Sequence, residues 1–199
     1  MGKKIGLYGG TFDPIHNGHL NLVLDMKEIW GFDEMWLVPT GVNPFKIDQT
    51  VASAEHRLEM TRLAALDFPE LFVLDLEVQR EGISYAIDTL NELMPAYPDH
   101  EFAIVIGDDA ATGFFRWKDV KQVINLVPIY VGRRSCQKIL LDLEGDSEVL
   151  DVLKKGYTET KILEISSTDI RNRLKRGLSC SHLLPPKVMD YISKIHLYS

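Results

Sequence analysis

Two histidines three residues apart, His16 and His19, follow a glycine pair, Gly9-Gly10, in the stretch KIGLYGGTFDPIHNGHL. The combination suits work on an anion. Glycines directly after an apolar run permit positive φ and let a ligand come close to the backbone. Phe12, Asp13 and Pro14 make a tight turn, and a helix is expected to begin near Asn17 or Gly18. The histidines then straddle a helix N-terminus, where free N–H groups and the positive dipole end favour negative charge. Two imidazoles would add directed hydrogen bonds to phosphate oxygens, and Gly18 carries no side chain to obstruct them. Two blander uses compete: structural capping, and a metal site shared with Asp13. The metal use wants a third ligand at standard spacing, and HExxH is absent. GxGxxG and GxxxxGK[ST] are absent too, so the loop is neither of the common phosphate cradles.

A second stretch, ISSTDIRNRL from Ile165 to Leu174, places Ser166, Ser167 and Thr168 where another helix should start. One of these hydroxyls is the expected N-cap, and Arg171, one turn in, offers a planar fork to the same anion. Alone this reads as an ordinary capped helix; with the histidine loop on the same sheet, both N-termini can face one triphosphate. Lys46, in VPTGVNPFK, is a point charge on a loop after the second expected strand. Ser84 and Tyr85 open SYAIDTL, and Asp108 and Asp109 open DDAATGFFRW. These aspartates would bind ribose hydroxyls, help hold Mg²⁺, or cap a helix. Trp30 and Trp36 read as packing residues.

The elements that must position these residues alternate along the chain. Strands are expected in KKIGLY, EMWLVPT, LFVLDLEV, EFAIVIG, PIYVGR and TKILEIS. Helices are expected from about Asn17 to Trp30, after an N-cap at Ser53, after a cap at Ser84, in KDVKQVINLV, in STDIRNRLKRG and in PPKVMDYISKIHL. The stretch from Asp142 to Thr160 is the most polar and reads as a surface excursion between strands. This β-α-β order predicts an α/β, doubly wound, mainly parallel sheet in one domain over 1–199, with ligands at the carboxyl ends of the strands.

Composition sets the bounds. Of 199 residues 45% are hydrophobic and 26% charged, as in a soluble globular protein. A net charge of -7 argues against a sequence-independent grip on nucleic acid or an anionic membrane, so neither is an expected partner. No apolar run approaches spanning length, and the N-terminus does not read as a signal peptide. The two cysteines, Cys136 and Cys180, lack CxxC spacing and fit a reduced, cytoplasmic compartment. A homo-oligomer is compatible with the sequence but not read from it.

The block GGTFDPIHNGHL resembles the HxGH signature of the nucleotidyltransferases related to class I aminoacyl-tRNA synthetases, and ISSTDIRNRL resembles their ISSTxIR motif. Within that family the chain is most similar to the bacterial nicotinate-nucleotide adenylyltransferase branch. His16 stands where the phosphopantetheine branch typically has threonine, and SYAIDTL and IGDDAATGFFRW agree. The resemblance implies a Rossmann-like nucleotidyltransferase fold and adenylyl transfer from ATP, with Mg²⁺, to a pyridine mononucleotide. It implies His16, His19, Lys46 and Arg171 as the catalytic set, and Gly9, Gly10, Thr11, Phe12, Gly18, Asp108, Ile165, Ser166 and Ser167 along the ATP. It places Ser84, Tyr85, Ala86 and Trp117 at the acceptor, Trp117 stacking on the pyridine ring, and gives no protein metal ligand. Three positions depart from the pattern: Phe45 for a histidine, Ala86 for a threonine and Lys118 for a tyrosine. Rival expectations are transfer to nicotinamide mononucleotide or phosphopantetheine, or a nucleotide-binding module without chemistry.

Overall fold

The computed structural model describes residues 2–45, 52–134 and 144–198. Its centre is a six-stranded sheet in the order β3-β2-β1-β4-β5-β6, with every neighbouring pair parallel. The strands are β1 (Lys4–Gly10), β2 (Glu34–Pro39), β3 (Leu71–Val73), β4 (Glu101–Gly107), β5 (Ile129–Gly132) and β6 (Tyr157–Thr158). This is the doubly wound order, whose direction reverses between β1 and β4 and opens a crevice above their carboxyl ends.

The strands are buried on both faces, so alternate side chains feed two cores. Tyr8, Met35, Leu37, Ala103 and Val105 face one core, completed by α1 (Asn17–Trp30), α2 (Ala54–Ala65), α8 (Ser167–Lys175) and α9 (Pro186–Lys194). Ile5, Leu7, Trp36, Val38, Ile104 and Ile106 face the other, covered by α4 (Ala86–Ala96), α6 (Val120–Leu126) and α7 (Ser147–Lys155). Two short helices, α3 (Leu76–Gln79) and α5 (Asp108–Ala111), complete the α-helices among the described residues. Ser53 caps α2 as expected, its hydroxyl accepting from the His56 N–H, and α1 ends at Gly31 in the left-handed conformation. Trp30 and Trp36 pack as read, their indole N–H groups donating to Thr158 and Glu34.

Four local expectations are corrected. The third strand stops at Val73, and the chain turns into α3 rather than continuing through Val78. Ser84 does not cap α4: Tyr85 is the N-cap residue, and the Ser84 hydroxyl accepts instead from the Gly41 N–H across the loop (3.0 Å). Thr160 to Ser166 form no strand. That segment lies along α1, where Asp25 accepts from the Lys161 N–H and Asn21 donates to the Lys161 carbonyl, so side chains replace a ladder. The excursion hides α7, capped by Asp146, with Val149 and Leu153 one turn apart and fully buried. Burying each such side chain contributes about 1.5–3 kcal/mol, enough to dock an otherwise polar helix. Cys180 is a buried free thiol; Cys136 lies outside the described residues.

Candidate active site

A cavity of about 570 Å³, within the range of small-molecule sites, opens above the carboxyl ends of β1, β2, β4 and β5. One end is lined by Tyr8, His16, His19, Arg134, Ser166 and Arg171, the other by Glu77, Ser84, Tyr85, Ala86, Trp117 and Lys118. Gly9, Gly10, Thr11, Phe12, Ile165 and Ser167 also line it. Of the residues singled out in sequence, Lys46 lies outside the described residues.

His16 occupies the N-cap position of α1 and His19 its third residue, so one helical turn brings the rings together: they stack with centroids 3.7 Å apart and planes at 20°. The His16 backbone N–H donates to His19 Nδ1 (3.2 Å), which puts the proton of a neutral His19 ring on Nε2. The His16 ring is 1% exposed, and burial, helped by the nearby Arg134 charge, holds its pKa down at about 3. His16 is therefore a neutral imidazole at physiological pH. Its Nδ1 is buried and has no hydrogen-bond partner among the described residues. Gly18 does not line the cavity; a Cβ there would sit 2.8 Å from the Leu163 carbonyl and 3.1 Å from the His16 ring, so close packing requires this glycine.

Ser166 is the N-cap residue of α8, and Ser167 donates to the Pro14 carbonyl, stapling this helix to the histidine loop (3.0 Å). The N-termini of α1 and α8 therefore border one cavity. Arg171 donates through Nη1 to the Asp13 carbonyl (2.8 Å) and through Nη2 to Thr168 (3.2 Å). A second arginine, Arg57, is 2% exposed and spends its donors on the carbonyls of Thr11, Thr40, Gly41 and Ala52. It fastens the loop after β1 to the loop after β2.

Arg134 was missed in the sequence. It follows β5, its guanidinium pairs with Asp109 (3.3 Å) and donates to the Ile165 carbonyl (3.4 Å), and its charge acts on the buried Tyr8 hydroxyl. Burial pushes Tyr8 up to about 12, so it stays a neutral phenol. The pointer to Arg134 was positional: a basic residue at the carboxyl end of an inner parallel strand faces the crevice. Asp108 is corrected in role. It does not line the cavity and is 1% exposed, and its Oδ1 accepts from the Arg134 backbone N–H (3.0 Å). Asp109 is the cavity-lining aspartate of the pair. Gly107 makes this possible, because a Cβ would collide with Asp109 Oδ1 at 2.4 Å and the Arg134 side chain at 2.7 Å.

At the other end, Tyr85 and Ala86 open α4, and Trp117 packs against Phe114 (centroids 4.7 Å apart) with part of its surface left to the cavity. Lys118 Nζ lies 4.7 Å from the Tyr85 ring centroid and 3.2 Å from Asp88. Phe45 also lines the cavity, under the Arg116 guanidinium at 5.2 Å. Glu77 is buried, accepts from Thr89 (2.7 Å), and has its pKa raised by desolvation.

Comparison with known proteins agrees with this geometry. Residues 7–173 match the model of the cytidylyltransferase-like family. Among curated relatives, a probable nicotinate-nucleotide adenylyltransferase of Desulfitobacterium hafniense is 38% identical, the match covering 98% of this chain and 96% of the relative. One from Dictyoglomus thermophilum is 36% identical, covering 98% and 99%. The solved structure of Plasmodium falciparum nicotinic acid mononucleotide adenylyltransferase with NaAD superposes with a TM-score of 0.78 at 22% identity, covering 98% of this chain and 97% of that one, which is a likeness of fold. With HxGH and ISSTxIR side by side above one parallel sheet, and relatives alike over nearly their whole length, the chain belongs to the nicotinate-nucleotide adenylyltransferases of the cytidylyltransferase-like family.

Proposed function

We infer that the chain, acting as one nucleotidyltransferase domain, transfers the adenylyl group of ATP to nicotinate mononucleotide, giving nicotinate adenine dinucleotide and pyrophosphate in cytoplasmic NAD biosynthesis. The observation that carries this reading is the shared cavity: the stacked histidines and Arg171 line one end, and Tyr85, Ala86 and Trp117 the other. A 5′-phosphate oxygen of the mononucleotide attacks the α-phosphorus. The bond from that phosphorus to the β-bridging oxygen breaks, and its electron pair leaves with pyrophosphate. The attacking phosphate is already anionic near pH 7, so no strong general base is needed; positioning and charge stabilisation supply the acceleration.

In this reading the backbone of Gly9, Gly10, Thr11 and Phe12 borders the ATP together with Ile165, Ser166 and Ser167. His19 donates to an α-phosphate oxygen, and His16, neutral and buried, contacts the same group without carrying charge. Arg171 and Arg134 hold the β- and γ-phosphates, with Lys46 the further cation expected from sequence. Mg²⁺ arrives with ATP as part of the substrate. Asp109, the exposed carboxylate of the histidine end, would hold one of its waters, while Asp13 and Glu77 are buried and engaged.

The N–H groups at the start of α4 are donors only and favour a carboxylate over an amide, and Lys118 adds positive charge beside them. Loss of the usual threonine hydroxyl at Ala86 leaves that backbone preference in place. Pyrophosphate release with ATP and nicotinate mononucleotide, nicotinamide mononucleotide or phosphopantetheine tests the reading. We expect kcat/KM for the nicotinate acceptor to exceed the others by about 10²-fold or more. Equal values, or a preference for the amide, reject it.

A further inference from the structure

The histidine loop has a contact that neither motif supplies. Tyr198 lies far along the chain after α9, is buried, and has φ of 70°, a left-handed conformation rarely adopted by a residue with a side chain. Its hydroxyl donates to Asp13 Oδ1 at 2.6 Å. The same oxygen accepts from the Ala52 N–H (3.3 Å). Asp13 Oδ2 stands 3.7 Å from Arg171 Nη1, which is bonded to the Asp13 carbonyl. Thus a buried carboxylate stands between a neutral donor and the arginine that lines the cavity.

We propose that Tyr198 is a positioning residue for Arg171. A buried carboxylate that loses a short hydrogen bond is drawn toward a neighbouring cation, since buried charge with fewer partners is costly. The phenol satisfies Asp13 Oδ1 from behind, so Asp13 anchors Arg171 by the main-chain carbonyl and leaves further guanidinium N–H groups for the cavity. Without the hydroxyl, Asp13 closes the 3.7 Å gap to Arg171 and takes donors away from the nucleotide. A tyrosine 185 residues away in sequence thereby sets how firmly the site grips ATP. The proposal rests on the reading of Arg171 as a phosphate ligand.

The experiment is a double-mutant cycle of Tyr198→Phe and Arg171→Ala, with KM measured for ATP and for nicotinate mononucleotide, and thermal midpoints recorded. Tyr198→Phe should raise KM for ATP about tenfold, the lower end for a lost hydrogen bond to a charged group, with KM for the acceptor unmoved. In the Arg171→Ala background the same change should alter KM for ATP by less than about twofold, because residues acting through one another are not additive. A Tyr198→Phe effect that persists undiminished in that background, or that falls equally on both substrates with a lowered midpoint, overturns the proposal. Tyr198→Leu, which also deletes the hydroxyl, must repeat the split; failure to do so overturns it as well. An Arg171→Ala enzyme with unchanged KM for ATP removes instead the reading beneath.

Discussion

At the histidine end of the cavity each cation is tied to another part of the chain: Arg134 to Asp109 and Ile165, Arg171 to Asp13 and Thr168. At the tryptophan end the surface is made by aromatic faces and one helix start, with Lys118 resting on Tyr85 and Asp88. The first construction is a network, in which moving one donor displaces several. The second is a set of separable surfaces. Two of the three departures from the family's pattern, Ala86 and Lys118, lie at the tryptophan end, and the two signature motifs lie at the other. Substitutions should obey the same division, with large losses in turnover at one end and losses confined to acceptor binding at the other.

The largest effect is expected from His19→Ala. Removing one preorganised donor to the transition state typically costs about 10²-fold or more in kcat. KM for the acceptor should stay near that of the parent, since His19 and Trp117 lie at opposite ends. Near-normal turnover in a folded variant would show that the stacked pair is scaffold, and the comparison would lose its first term.

A smaller and differently shaped loss is expected from Trp117→Ala. Stacking of a nucleobase-like ring on an aromatic face contributes about 1–3 kcal/mol, so KM for the mononucleotide should rise roughly tenfold. KM for ATP should not move. Trp117 also packs against Phe114, so circular dichroism must accompany the kinetics to separate stacking from packing. If kcat falls and acceptor KM holds, the tryptophan end is not a separable surface.

What sequence conveyed follows the same line. The glycine loop, His16, His19, Ser166 and Arg171 were legible because a helix start is local: its cap, glycines and first-turn residues are neighbours in sequence. Arg134 was not, because its place is set by Asp109 after β4 and the Ile165 carbonyl before α8, and no short pattern records that company. Asp108 and Asp109 could not be told apart, since which of two adjacent residues faces the crevice depends on how the chain leaves β4. The doubly wound, parallel sheet is legible in the alternation of strands and helices and in strand composition. The missed helix α7 and the absent strand at Thr160 to Ser166 are cases where two buried residues, or the side chains of α1, outweighed local propensity.

The smallest effect concerns two buried titratable groups, one at each end, whose environments oppose each other in pH. His16 is held neutral, its pKa lowered from 6.5 to about 3, chiefly by burial. Between those values the unfolded chain binds a proton that the folded chain refuses, so stability present above pH 6.5 is lost progressively as pH falls toward 3. Glu77 has its pKa raised from 4.5 by burial, so its protonated form is favoured in the fold, and the stability it contributes below 4.5 is lost as pH rises through its folded value. Urea unfolding midpoints from pH 3 to 8 should therefore flatten on the acid side in His16→Gln. They should flatten on the rising side above 4.5 in Glu77→Gln, a change that keeps an acceptor for Thr89. Each variant should leave the other limb untouched, because the groups lie at opposite ends of the cavity and belong to different networks. Curves that run parallel to the parent's at all pH would mean that burial shifts the titration of neither group.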